Sequence, residues 1–181
     1  MVAEEENCHK AREVALNYLS YRARSSKEVY ERLRRKGFSA QVAEEVISYL
    51  TERRYLDDRA LAEDLAEFLV NRKLVGRLWL RHELQLRGIA AEIIDQVVKK
   101  VYDPEEKEKE VALRLVQKRL RSPQKGDREK LRRSLASLLA RHGFPHLIIR
   151  QVVLEVLGRT AAGAPEIATG DESGEDDDYI E

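Results

Sequence analysis

The chain has one cysteine, Cys8, in 181 residues, which excludes an internal disulfide and fits a reducing compartment. No apolar run approaches the roughly 18 residues that a membrane-spanning helix needs. The first six residues, Met-Val-Ala-Glu-Glu-Glu, are acidic where a secretion signal would be basic and then apolar. These absences predict a cytoplasmic protein without a membrane partner. Prolines number four and glycines nine, and aromatics are 6% against 36% charged residues, a balance that points to an all-helical, surface-rich chain. Glycine-rich phosphate loop, nucleophile elbow and cysteine-histidine cluster are all missing. That agrees with a protein that is no enzyme and takes no cofactor or metal.

What the chain has is charge, unevenly placed. The totals balance at 33 Lys and Arg against 33 Asp and Glu, but eight of the acids and none of the cations follow Arg159, so residues 1–159 carry +8. A basic body and an acidic tail are two electrostatic objects.

The chain also has a threefold repeat. Leu33-Arg34-Arg35-Lys36-Gly37-Phe38 returns as Leu84-Gln85-Leu86-Arg87-Gly88-Ile89 and as Leu139-Ala140-Arg141-His142-Gly143-Phe144, with 51 residues from the first glycine to the second and 55 to the third. Eight residues before each glycine stands Val29, Leu80 or Leu135, and four before it a leucine, which is one stripe of a helix. Five, nine, ten and thirteen residues after it come Val42, Val46, Ile47, Leu50, then Ile93, Val97, Val98, Val101, then Ile148, Val152, Val153, Val156. The glycine suits the left-handed turn just past a helix end. A period near 50 residues is the mark of stacked repeats, so the fold expected is all-α, three tandem three-helix repeats in an elongated array that is free to curve.

The predicted divisions are an acidic lead over 1–7, repeats over 8–54, 55–102 and 103–158, and a disordered acidic tail over 159–181. In the first repeat helices are expected over Cys8–Tyr21, Ser26–Lys36 and Ala40–Arg53, with Ser25 and Glu28 forming a capping box. In the second, Asp57 and Asp58 suit the N-terminus of a helix with Leu61, Leu65, Phe68 and Leu69 on one face. Gly76 breaks the chain there, and helices follow over Arg77–Arg87 and Ala91–Tyr102. The third opens after Asp103-Pro104, with proline at the first helical position, carries a long helix through Val111, Leu115 and Val116, and passes a hinge at 122–126. It ends with helices over Asp127–His142 and Pro145–Leu157.

The run from Arg24-Ser25-Ser26-Lys27-Glu28-Val29 through Lys36-Gly37-Phe38, then Tyr55-Leu56-Asp57-Asp58-Arg59-Ala60, then Gly76-Arg77 through Arg87-Gly88-Ile89, resembles the RecX family of recombination regulators. The resemblance covers roughly Ala11 to Leu157. Arg54 departs from it, standing where the family's pattern has glycine, and the third repeat carries only the generic corner. The resemblance implies three tandem three-helix repeats that bind the RecA recombinase filament on single-stranded DNA. It implies that the protein lies in the filament groove and restrains its growth, and with it ATP hydrolysis, strand exchange, co-protease activity and the SOS response.

Candidate contacts follow from charge. Arg34, Arg35 and Lys36 end the second helix of the first repeat; Arg77, Arg81 and Arg87 lie on the matching helix of the second, and Lys130, Arg132, Arg133 and Arg141 on that of the third. Cations near a helix C-terminus are locally favoured by about 0.3–1 kcal/mol each, which accounts for some of them but not for their recurrence. Repeats in a row would align them into a stripe suited to phosphates or to an acidic protein groove. Trp79 stands nine residues before its glycine, where Glu28 and Ser134 stand in the other repeats. It therefore packs against a neighbouring repeat or anchors a partner. Asp57 and Asp58 read as caps rather than as a metal or acid-base pair. His142 and His146 are separated by Gly143 and Pro145, which removes the helix that would bring them together on a zinc ion.

The alternative function is direct nucleic-acid binding without recombinase, since helix, glycine turn and helix also make a helix-turn-helix. Lys36, Arg87 and His142 stand before the glycine, where that motif wants an apolar residue. The partners expected are the RecA filament and, second, single-stranded DNA, bound by a monomer.

Overall fold

All three corners close in the same way. In the computed structural model, which describes residues 2–104, 106–120 and 128–161, Gly37, Gly88 and Gly143 have φ of 91°, 73° and 74°. The next residue's amide reaches back to the leucine carbonyl five positions earlier: Phe38 to Leu33 at 3.2 Å, Ile89 to Leu84 at 3.1 Å and Phe144 to Leu139 at 3.1 Å. This is the Schellman closure, which ties off carbonyls that the helix end leaves unpaired.

Around those corners the described residues form nine helices and no strand: α1 (Val2–Leu19), α2 (Ser26–Arg35), α3 (Ala40–Glu52), α4 (Asp58–Phe68), α5 (Arg77–Leu86), α6 (Ala91–Val101), α7 (Glu106–Leu120), α8 (Arg128–Arg141) and α9 (His146–Ala161). Each helix packs chiefly within its own triplet, α1 to α3, α4 to α6 or α7 to α9. The stripes before the glycines are buried throughout: Val29, Leu33, Leu80, Leu84, Leu135 and Leu139 are at most 1% exposed. The first triplet has its own core. Those of the second and third run together into one.

Four details differ from the sequence expectation: α7 begins at Glu106, so Pro104 precedes its helix rather than opening it, α9 runs on to Ala161 rather than ending at Leu157, and α1 and α4 differ as follows. Helix α1 begins at Val2, not Cys8, taking in acids that are favoured near a helix N-terminus; Glu6 there pairs with Lys10 at 2.8 Å. On α4 the buried positions are Ala62 and Ala66, with Leu61 and Leu65 half-buried, and Phe68 is 51% exposed. Small alanines let α4 approach its neighbours closely. Ala62, Ala66, Leu69 and Val70 lie on one helical stripe, which leaves Phe68 outside it, and a single π turn over Leu69–Lys73 follows. The hinge predicted at 122–126 lies outside the described residues, as does the acidic tail beyond Ala161.

The triplets join by one repeated device. Ser25, twelve residues before its glycine, donates its hydroxyl to the carbonyl of Arg87 at the next corner. Gly76, in the same column, donates its amide to the carbonyl of His142 at 2.8 Å. One residue on, the first helical amide is capped from the first helix of the following triplet: Ser26 by Asp58 at 2.8 Å, Arg77 by Glu108 at 2.7 Å. Glycine is needed at those corners for space as well as conformation. A β-carbon on Gly143 would stand 2.3 Å from the Trp79 amide nitrogen, and one on Gly88 would stand 2.1 Å from the Lys27 side chain, whereas Gly37 has open space.

Candidate partner interface

That joint sets the N-terminus of α5 on the end of α8 and the N-terminus of α2 on the end of α5. The three helices that carry the cations therefore meet end to end in the order α8, α5, α2. The matching corner at the end of α2, at Lys36 and Gly37, carries no other triplet among the described residues.

The cations then divide by what they touch. Arg34, Arg35 and Lys36 are exposed on the open corner; Arg34 donates to the Phe38 carbonyl at 2.8 Å and Arg35 to that of Glu31 at 3.3 Å, and no carboxylate pairs with any of the three among the described residues. Lys130 and Arg141 are exposed and likewise without an acidic partner among them. Arg81 pairs with Asp95, and Arg132 and Arg133 both pair with Glu129 on their own helix. Hydrogen bonding to Arg132 chiefly holds the Glu129 carboxyl down at about 2. Arg87 lies within the first joint, 3.7 Å from Glu28 and 3.9 Å from Glu83.

Arg77 corrects the expectation of a surface cation. Its amide and its Nε both donate to Glu108, which is fully buried, and its guanidinium lies 6.0 Å from the Tyr102 ring centre. A buried carboxylate needs a paired cation, so Arg77 serves the second joint. Burial, reinforced by the nearby Glu108 charge, drives the Tyr102 phenol well above its ordinary range, with Arg77 opposing. The phenol donates to the Val75 carbonyl at 2.7 Å. Glu108 went unmarked in the sequence because one glutamate in Glu-Lys-Glu-Lys-Glu looks like any other; its burial comes from a helix 31 residues away.

Trp79 is half-buried against the third corner. With Leu69, Lys73, Val75, Leu138, Arg141 and His142 it lines a groove of about 520 Å³ between the second and third triplets. Asp57 caps α4, accepting from the amides of Arg59 and Ala60 at 3.0 and 2.9 Å. Cys8 is buried. Among the described residues no group of acids, histidines and cysteine is placed to hold a metal, and no helix is long and apolar enough to cross a membrane.

Three family models match the chain in sequence order: "RecX, first three-helix domain" over residues 11–50, the second three-helix domain over 57–98 and the third over 105–153. A protein named "Regulatory protein RecX" from Amycolatopsis mediterranei is 32% identical over 153 residues, covering 84% of this chain and 86% of that one. The protein of that name from Bacillus cytotoxicus is 34% identical over 152 residues, but this chain spans only 55% of its length. The crystal structure of RecX from Lactobacillus salivarius superposes with a TM-score of 0.75 at 24% identity, over 84% of this chain and 97% of that one, which speaks for the fold alone.

Proposed function

The chain belongs to the RecX family of regulatory proteins, and from that premise we propose that it is a non-catalytic modulator that binds the RecA recombinase filament on single-stranded DNA. It restrains filament growth and so lowers ATP hydrolysis, strand exchange and co-protease activity. The observation that supports this reading is the repeated joint, which brings the ends of α8, α5 and α2 together in series, so that the proposed contacts fall on successive triplets. A series of that kind suits a long, ordered, acidic partner better than a compact one. The contacts proposed are Arg34, Arg35 and Lys36 at the open end, Lys130 and Arg141 at the other and Trp79 between, with Arg81, Arg87, Arg132 and Arg133 adding field from within their ion pairs.

Direct nucleic-acid binding would use the same unpaired cations on phosphates, and a salt series separates the two. On naked single-stranded DNA, affinity that falls steeply with salt while recombinase is unaffected assigns the protein to nucleic acid. Inhibition of filament ATP hydrolysis at well below one protein per recombinase subunit assigns it to the filament. Absence of any effect on filament growth or ATP hydrolysis at equimolar protein would overturn the reading.

A further inference from the structure

The groove beside Trp79 differs from three other clefts of the described residues in the charge of its rim. Lys73, Arg141 and His142 line it with no acid, over an apolar floor of Leu69, Val75, Trp79 and Leu138, whereas three other clefts, beside Glu106, Glu63 and Glu45, mix acids with their cations. Neither Lys73 nor Arg141 has a carboxylate partner among the described residues, and both are exposed. At about 520 Å³ the groove lies within the roughly 300–1,000 Å³ of clefts that hold a ligand. It takes a segment with an apolar anchor flanked by negative charge.

The chain contains such a segment. Residues 171–181 read Asp-Glu-Ser-Gly-Glu-Asp-Asp-Asp-Tyr-Ile-Glu, seven acids with Tyr179 and Ile180 as adjacent large apolar residues. We propose that the groove between the second and third triplets is the docking site of this acidic segment, with Tyr179 and Ile180 on the Trp79 floor and the aspartates before them against Lys73 and Arg141.

Reach supports the match. Helix α9 starts at His146, beside the third corner and so beside the groove, and ends at Ala161, fifteen residues on, which at 1.5 Å per residue is about 22 Å away. From Ala161 to Tyr179 is eighteen residues, whose root-mean-square span as a coil is about 23 Å. A tether matched to its gap gives an effective concentration in the millimolar range, so even a weak contact would be filled. Arg141 is then withheld from other acidic partners until they displace the segment. Salt also releases it, because the rim contacts are exposed and screened.

Trp79 is the chain's single tryptophan, so its emission reports the groove alone, with neither recombinase nor DNA present; the outcome is independent of the function proposed above. Three chains are compared at low salt: the full chain, the chain ending at Ala161, and the full chain carrying Tyr179→Ser with Ile180→Ser. The expected result is blue-shifted emission in the first only, lost on going to molar salt. A labelled peptide of residues 171–181 should bind the shortened chain at least tenfold more tightly than it binds the same chain carrying Lys73→Glu with Arg141→Glu, whose helicity is unchanged. Identical emission from all three chains would overturn the proposal. So would binding of the peptide that is indifferent both to Lys73→Glu with Arg141→Glu in the chain and to Tyr179→Ser with Ile180→Ser in the peptide itself, which is charge attraction without a site. Equal peptide uptake by the full and shortened chains would overturn it too, since the groove would then be empty in the intact chain and meant for another molecule.

Discussion

Glu108 caps the amide of Arg77 at 2.7 Å while burying its own charge completely, and Asp58 does the same for Ser26 at 2.8 Å from a half-buried position. The two joints share a design and differ in burial, so they should differ in sensitivity. Glu108→Ala leaves the half-buried Arg77 guanidinium and a part-buried helix-end amide without their acceptor, and losing a buried acceptor costs about 1–3 kcal/mol. Asp58→Ala loses a cap in a wetter place, about 1 kcal/mol. Urea unfolding should rank them in that order. A Glu108→Ala loss under 1 kcal/mol would mean that the pair contributes little. Reversing Arg77 would damage the same joint and must not be read as a lost partner contact.

The corners make a graded series. Gly37→Ala meets only the left-handed conformational penalty, about 1–2 kcal/mol. Gly88→Ala adds a clash with the Lys27 side chain, which can swing partly away, and Gly143→Ala adds one with the Trp79 backbone, which cannot. Stability should fall in the order Gly37, Gly88, Gly143, and only the last substitution should shift Trp79 fluorescence before unfolding. Equal losses at all three would show that the joints tolerate separation.

Arg54 adopts φ of 60° just past α3, the conformation of the corner glycines, with its amide bonded to the Thr51 carbonyl at 3.0 Å. This is the position where the family's pattern has glycine. Arg54→Gly should therefore raise unfolding stability by about 1 kcal/mol by removing the β-carbon from a left-handed turn. A destabilised variant would mean that the arginine side chain holds something the backbone does not reveal.

The corners and their stripes were legible because each is local: a helix end, its glycine and the apolar residues one turn away lie within a short stretch and repeat in register. The capping box at Ser25 and Glu28 was legible for the same reason, and both halves are formed. What escaped depends on residues distant in sequence. Glu108 is buried because α5 begins on top of it, and Asp58 serves α2 as well as its own helix start. Phe68 lies outside because the buried stripe of α4 runs through Ala62 and Ala66, and small alanines do not stand out as core beside Leu61, Leu65 and Phe68. For the candidate cations, sequence supplied the column and structure the pairing, which separates Arg34, Arg35 and Lys36 from Arg77.

Tyr102 predicts behaviour in alkali. Its phenol, raised by burial first and by the Glu108 charge second, stays neutral in the fold, whereas in the unfolded chain it ionises near 10. A folded value above the unfolded one gives a contribution that is complete below about pH 10 and is lost as pH rises beyond it. Tyrosinate absorbance should therefore show the last tyrosine of the described part ionising together with loss of helical circular dichroism. Tyr102→Phe leaves the Val75 carbonyl unpaired and costs about 1–3 kcal/mol at neutral pH, but its stability should fall less steeply above pH 10. Equal slopes for the two proteins would locate the alkaline transition elsewhere.

The open corner gives the cleanest test of partner contact, because the cations there hold nothing else together. Arg34 and Arg35 touch only backbone carbonyls of their own triplet, and Lys36 has no side-chain partner among the described residues. Reversing all three to glutamate removes whatever stabilisation they give to the end of α2, about 0.3–1 kcal/mol each, against a triplet core that they do not enter. Circular dichroism should be unchanged and the melting temperature lowered by a few degrees. If these cations bind an acidic filament, inhibition of its ATP hydrolysis should weaken at least tenfold, and neutral Gln substitutions should weaken it less than the reversal does. A triple reversal that inhibits as well as the parent would move the contact to the Lys130 and Arg141 end, where Lys130→Glu with Arg141→Glu would then have to abolish it.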